Sequence, residues 1–439
     1  MASDELDRFA VLYITHVLYA LICLQLRNTL SLLVLVLSAG RRHRLMVQQC
    51  ANSAFSALLQ LGPSLLPRVP RKCWMRVRSK DWWDRVVLKE FSDVEWREHF
   101  RMTRGSFDKL CALMEEVLRP QDVTVRAPIP LQMRVAIVLY KLAGCAEYKV
   151  IANKFGVHKT TVKKFVYSFC KGMVSSVINQ LIKAPSAEQA RAITRRFEEK
   201  FCIPQVVGCI HRTHIPVLPP SDGFKHFVNR KGWPSYVLQA VTDDTCRFWN
   251  INCQMPGSTA DADILRQSAL YSQAHLLPQE PKEISGTSIN LFLLGDPAYP
   301  LLDWLITEYA PSPHLTAEQE SFNAYVRSAR TTVDTAFGKL KSRWRVLLRK
   351  CDFHYTFIPH VIATCCALHN FCEVEEEGFS PTWTEEAAVM ERRMLQPDVC
   401  PCGESERFDG QKVRLTLTEY LRTNFPLHKS GFEHFLSNE

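Results

Sequence analysis

The apolar positions of this chain change period along its length, and the changes divide it. Residues 9–26 are almost continuously apolar, and 30–39 follow before Gly40 and the basic run RRHR. A run of that length with a basic flank has the form of a membrane span. Arg27, Asn28 and Thr29 interrupt it, and His16 and Gln25 dilute it, so the pattern predicts two packed helices in preference to a span. The start is acidic (Asp4, Glu5, Asp7) and lacks the basic n-region of a signal peptide. Residues 61–72, rich in Pro and Arg, read as a linker.

Over residues 82–116, charge mixes with Trp, Phe and Leu at spacings near the helical period, and Thr103 is placed to cap a helix. The segment opening PIPLQM predicts another helix, with Pro130 near its start and Gly144 after its end. YKVIANKFGVHKTTVKKFVYSFC, residues 148–170, divides into a short helix, a turn at Gly156 and a second helix from about His158, a helix-turn-helix pattern. Ala152, Val157, Val162 and Val166 are its expected core positions. Lys159, Thr160, Thr161, Lys163 and Lys164 then face outward, and no acidic residue occurs from Tyr148 through Ala187. Such a face suits phosphate contact in a DNA groove. The same pattern also describes an ordinary helical hairpin with a solvated lysine face.

Beyond a Ser186-capped charged helix the period shifts towards two. Residues 205–210 read as an apolar strand, 236–242 and 247–254 as a hairpin around DDT, and 291–295 as a buried strand. Residues 261–272, 328–350 and 358–372 read as helices, the second long and basic. This order fits an α/β fold, a mixed sheet flanked by helices and preceded by an all-α region. After Glu373 the chain turns acidic and irregular, as a flexible connector would, before a last amphipathic helix at 413–422. The expected organisation is an apolar extension and linker (1–72), a helical region (73–184), an α/β domain (185–373), and a connector with a C-terminal helix (374–439).

Composition adds only a little. At 46% hydrophobic and 23% charged, the 439 residues can build cores of normal size, and a net charge of +9 inclines mildly towards nucleic acid. Sixteen cysteines without a framework argue for reduced, buried thiols and against a disulfide-stapled secreted domain. The Cys400–Cys402 pair has no second pair at zinc-ligand spacing.

The chemistry lies in the α/β part. Cutting a phosphodiester at neutral pH needs an activated water and a stabilised leaving oxygen, which two divalent ions clamped by carboxylates supply. Asp296 follows the strand LFLLG, Asp334 lies on the helix TTVDTAFGKLKSRWR, and Asp261 opens the helix after PGSTA. The strand VVGCI runs into His211, where a carboxylate would be expected.

Several segments match one family in order. GCIHRTHIP resembles its GxxDGTHIP block, FVNRKGWPSYVLQAVTD its NRKGxxSxNxQxVxD block, and MPGSTADADIL its PGSxHDxxxL block. LLGDPAYP resembles LLGDSGYP, RTTVDTAFGKLKSRWRVL resembles RxxVExxFGxLKxRFRxL, and CCALHN closes the series. From about residue 185 to 372 the chain thus resembles the PIF/Harbinger DDE transposases.

The resemblance implies an RNase H-like domain with acids at His211, Asp261, Asp296 and Asp334, a Mg²⁺ or Mn²⁺ cofactor, and DNA cleavage with strand transfer. It also implies a nuclear protein, with the cytoplasm as a second location, working with a separate Myb-like DNA-binding protein. Two positions depart from the pattern. His211 replaces the first aspartate, and imidazole suits Zn, Cu or Fe better than Mg. Asp334 replaces the closing glutamate with a shorter side chain. Two functions follow: a metal-dependent DNA nuclease, or a catalytically inactive DNA- or chromatin-binding adaptor. Lys339, Lys341, Arg343 and Arg345, around Trp344, are candidate phosphate contacts. The alternative for that stretch is a solvated helix face. Arg327 and Arg330 are candidate partners of nearby acids, and His214 a packing residue. Membrane attachment has only the N-terminus in its favour.

Overall fold

A computed structural model describes residues 2–36, 78–119, 128–350, 352–403 and 407–426, with positions 52, 53 and 56. The linker expected at 61–72 lies outside the described residues. The chain divides into two units, Met1–Val77 and Arg78–Glu439.

In the first unit Ala2–Val36 forms one helix, α1, where two were expected. Arg27, Asn28 and Thr29 do not break it, because the Thr29 hydroxyl donates to the Gln25 carbonyl at 2.8 Å and is satisfied within the helix.

The second unit opens with Trp82–Glu90 (α2, π-wound), Asp93–Phe100 (α3), Arg104–Leu113 (α4), Glu115–Leu118 (α5) and Leu131–Gly144 (α6). Tyr148–Lys154 (α7), Lys159–Gly172 (α8), Ile178–Leu181 (α9) and Ala187–Phe201 (α10) follow. Thr103 caps α4 and Ser186 caps α10, as their sequences predict. The α7–α8 turn depends on Gly156, whose φ is +61°; a Cβ there would meet the Ser79 carbonyl oxygen at 2.2 Å. Ala152, Val157, Val162 and Val166 are buried as expected.

The remainder alternates: β1 (Val206–Pro216), β2 (Ser235–Thr242), β3 (Phe248–Pro256), α11 (Asp261–Arg266), α12 (Ala269–Ser272), then a hairpin of β4 (Lys282–Ile284) and β5 (Thr287–Ile289). It continues with β6 (Phe292–Gly295), β7 (Leu305–Thr307), α13 (Ala317–Arg343), α14 (Ile358–Val374), α15 (Pro381–Glu391) and α16 (Phe408–Asn424). The five-stranded sheet has the order β3-β2-β1-β6-β7. β1, β2 and β3 form an antiparallel meander, and β6 and β7 join β1 in parallel. This is a mixed sheet flanked by helices, consistent with an RNase H-like fold. One hydrophobic core runs from Phe107 and Leu139 in the helical region to Val206 and Leu294 in the sheet.

The connector expected after Glu373 is instead structured. Trp383 on α15 is fully buried, Leu417 and Leu421 on α16 join the main core, and the Tyr309 hydroxyl lies 3.0 Å from that of Thr418. Several of its acids are taken by distant bases, among them Glu375 by Lys109 and Glu391 by Lys341 (2.7 Å), as is Glu373 just before it by Lys339 (2.8 Å).

The closing CCALHN block has a structural role. The buried Asn370 amide accepts from Phe248 N–H (2.8 Å) and donates to the carbonyls of Phe248 (2.6 Å) and Leu181 (2.8 Å), tying the start of β3 to α9 and α14. Asn370→Ala strands these backbone groups, and the expected loss is about 2–3 kcal/mol of folding free energy. Chemical denaturation would measure it. A loss below about 0.5 kcal/mol would show that the amide is dispensable.

Candidate active site

Strand register places the first pair of residues. Cys209 on β1 is level with Leu294 on the parallel β6. Two residues on along each strand, His211 and Asp296 fall on the same face as those partners, side by side. His211 Nδ1 is 2.9 Å from Asp296 Oδ2, off the line of its N–H, so the attraction is electrostatic more than a directed hydrogen bond. α13 crosses the same face: the Cys209 thiol donates to the Ala329 carbonyl, and Asp334 Oδ1 comes within 3.6 Å of His211 Nε2. One turn earlier on α13, Arg330 places Nη2 3.6 Å from Asp296 Oδ2 and Nη1 2.7 Å from Glu308 Oε1. Glu308 also takes Arg327 at 2.8 Å. Both arginines therefore pair with local acids, as the sequence suggested.

Asp296 is 1% exposed. Burial pushes its carboxyl pKa up, but the His211 imidazole, the Arg330 guanidinium and the Ala298 N–H outweigh burial and hold it below the ordinary carboxylate range. The Ala298 bond, 2.9 Å to Oδ1, is the turn role expected of an aspartate before Pro297.

Asp261 is paired elsewhere, although the Asp296 carboxylate is near enough to help raise its pKa. Alternation along β1 sends Arg212 to a different partner from His211, and its guanidinium contacts Asp261 directly. Both residues are buried. Burial raises the Asp261 pKa, and Arg212 opposes that rise without cancelling it. Asp261 is the first residue of α11, after the capping position at Ala260, so it does not serve as the cap.

These residues do not fit a divalent ion. Mg²⁺ and Mn²⁺ need several hard oxygens with free lone pairs converging on one point. Asp296 Oδ1 accepts from Ala298 N–H, its Oδ2 makes no hydrogen bond but stands against the His211 imidazole and the Arg330 guanidinium, Asp261 faces a guanidinium, and the exposed Asp334 faces an imidazole. Among the described residues no group of three or more His, Cys, Asp or Glu side chains converges as a ligand set.

Arg212 was missed in the sequence, although the signal was present: it stands where GxxDGTHIP has its second glycine. A second missed feature is the stretch after α15. Gln396 accepts from His214 N–H (2.7 Å) and donates to the His214 carbonyl (3.2 Å), filling the edge of β1 beyond its pairing with β6. Asp398 takes Lys231 at 2.5 Å, and its carbonyl accepts from Arg212 at 3.4 Å. This stretch walls a groove of about 220 Å³ beside His211, Asp334 and Lys341. His214 packs as expected: its Nδ1 lies 2.9 Å from Ser235 Oγ, and burial, with Arg212, Lys341 and Arg230 nearby, lowers its pKa to about 3.

The basic end of α13 differs from a DNA-facing surface. Arg343 is fully buried and donates to the carbonyls of Arg101 (2.7 Å) and Glu377 (3.2 Å). Lys341 is buried on Glu391, Lys339 is half-buried on Glu373, and Arg345 meets Glu386. Acids distant in sequence take three of these charges and backbone carbonyls the fourth, which leaves no open face of four bases. On α8, by contrast, Lys159, Thr160, Lys163 and Lys164 are exposed and Thr161 is half-buried.

Known proteins match along the same stretch. Residues 210–370 match the family described as DDE superfamily endonuclease. The Arabidopsis thaliana protein Antagonist of Like Heterochromatin Protein 1 is 29% identical over 310 residues, covering 66% of this chain and 77% of the relative. The Arabidopsis Protein ALP1-like is 29% identical over 321 residues, covering 67% and 75%. A Bos taurus protein named "Putative nuclease HARBI1" is 25% identical over 291 residues, covering 65% and 80%. No solved structure matches the chain. The ordered blocks, the mixed sheet and these relatives agree: residues 210–370 carry a DDE superfamily endonuclease domain, and the chain is similar to the Harbinger transposase-derived proteins.

Proposed function

We propose that this chain is a nuclear adaptor that binds DNA or chromatin through a transposase-derived fold and no longer cuts it. One observation carries the reading: the chain's own imidazole and guanidinium groups stand at the carboxylates that would hold ions. His211 and Arg330 are at Asp296, and Arg212 is at Asp261. The name of one relative, an antagonist of a heterochromatin protein, points in the same direction. The proposed DNA-facing element is the α7–α8 pair, with Lys159, Lys163 and Lys164 on phosphates and Thr160 and Thr161 towards the groove. A Myb-like DNA-binding protein is the partner class that the resemblance implies.

The test uses the full chain and duplex DNA at several salt concentrations. Replacing Lys159, Lys163 and Lys164 by Ala should weaken binding about tenfold to a hundredfold. It should also reduce the salt slope by nearly three, at about 0.9 for each phosphate no longer neutralised. An unchanged slope would remove α8 as the reader. The same protein, given supercoiled plasmid with Mg²⁺ or Mn²⁺, should leave it intact. Nicking that disappears in Asp296→Ala would refute the adaptor reading.

A further inference from the structure

We propose that α1 is a membrane anchor: it crosses a lipid bilayer once and holds the chain that follows it on the cytoplasmic or nucleoplasmic face. The span is Ala10–Ser31, 22 residues with none buried. At about 1.5 Å per residue these reach about 33 Å, close to the roughly 30 Å hydrocarbon thickness of a bilayer. The apolar surface has no polar side opposite it. Val11, Leu12, Tyr13 and Ile14 are consecutive, so at about 100° each they point around most of the helix, and all four are exposed. A helix lying on a membrane surface, or packed as one layer of a soluble bundle, keeps a polar stripe, which this span lacks.

The threonine and serine hydroxyls inside the span behave as lipid requires. The Thr15 hydroxyl donates to the Val11 carbonyl, Thr29 to Gln25 at 2.8 Å, and Ser31 to Arg27 at 2.9 Å. Each hydroxyl is thus satisfied within its own helix, as a water-free environment demands. Arg27 sits near the C-terminal end of the span, where a long basic side chain can reach headgroups.

The flanks give the direction. Arg8 is the one basic residue before the span, among Asp4, Glu5 and Asp7, whereas Arg41, Arg42 and Arg44 follow it. Basic residues are retained on the cytoplasmic side and favour anionic headgroups there. The second apolar helix of sufficient length, Tyr355–Val374, is 78% buried in the core of the folded unit and does not return the chain across the bilayer. The described cysteines are all free thiols, which suits the reducing side.

The test is the full chain expressed in cells with an epitope tag at each end. Expected is flotation with membranes, resistance to alkaline carbonate, and, in sealed vesicles, an N-terminal tag protected from protease with a C-terminal tag digested. Leu18→Arg with Ile22→Arg should move most of the protein to the soluble fraction. Those substitutions lie outside the folded unit, so its fold is not at risk. Release of the unaltered chain by carbonate, a soluble oligomer held together by α1, loss of the N-terminal tag by cleavage, or the reverse protection pattern would each overturn the proposal.

Discussion

Replacing His211 by Asp and Arg212 by Gly together should raise the Mn²⁺ affinity of this chain by at least about a hundredfold. The substitutions restore both residues of the GxxDGTHIP block, and each changes the local field in the same direction. His211→Asp exchanges an imidazole 2.9 Å from Asp296 for a third carboxylate beside Asp296 and Asp334. Arg212→Gly frees Asp261 from its internal counter-ion. Two unit charges about 4 Å apart interact by about 4 kcal/mol at an effective dielectric of 20, so even a fraction of that, doubled for a divalent ion, exceeds the roughly 2.7 kcal/mol that a hundredfold requires.

Each single substitution should fall well short. His211→Asp alone leaves Asp261 neutralised, and Arg212→Gly alone leaves a ring between Asp296 and Asp334. The pair should therefore exceed the sum of its parts. Adding Asp334→Glu restores the longer acid, and plasmid nicking should be strongest in that triple variant. Calorimetric Mn²⁺ titration and a nicking assay across the series would decide. Tight Mn²⁺ binding by the unaltered chain, lost in Asp296→Ala, would contradict the account, as would a double variant that binds no better than wild type.

The sequence showed most of what depends on local pattern. The caps at Thr103 and Ser186, the Gly156 turn, the hairpin around DDT and the strand into Asp296 all appear where period and punctuation put them. Long-range charge pairing was not visible. Lys339 and Lys341 looked like a phosphate face, and the acids from Glu373 onward looked like the start of a flexible tether. Each group is the other's partner, and nothing at the level of a window of residues says so. β1 was cut short at residue 210 for a related reason. HRTHIP reads as a polar strand end, yet β1 pairs with β2 as far as Pro216, and its polar groups find Asp261, Ser235 and Gln396. The candidate site was legible as positions, through the family blocks. Its ion pairing was not, because it depends on which residue of β1 faces which acid.

Arg330→Met should be among the most destabilising single changes in the folded unit, costing about 3–5 kcal/mol, because it removes one partner of a buried ionic network and leaves the others in place. Asp296 and Glu308 are 1% and 5% exposed, and Arg330 is the cation between them. Glu308 retains Arg327, so most of the penalty falls on Asp296. The pH dependence identifies the mechanism. In the unaltered chain the Asp296 pKa lies below its unfolded value, so its contribution is complete above the unfolded pKa and is lost as pH falls through the lower, folded one. Without Arg330 the burial effect gains weight and the folded pKa rises. A folded state that holds its proton more tightly than the unfolded state loses stability as pH climbs through that range. The gap between the two proteins should therefore be wider at about pH 8 than at about pH 5. Adding Asp296→Asn to Arg330→Met removes the stranded charge and should recover part of the loss. A gap that does not change with pH, and no recovery in the double variant, would mean that Arg330 acts through packing alone.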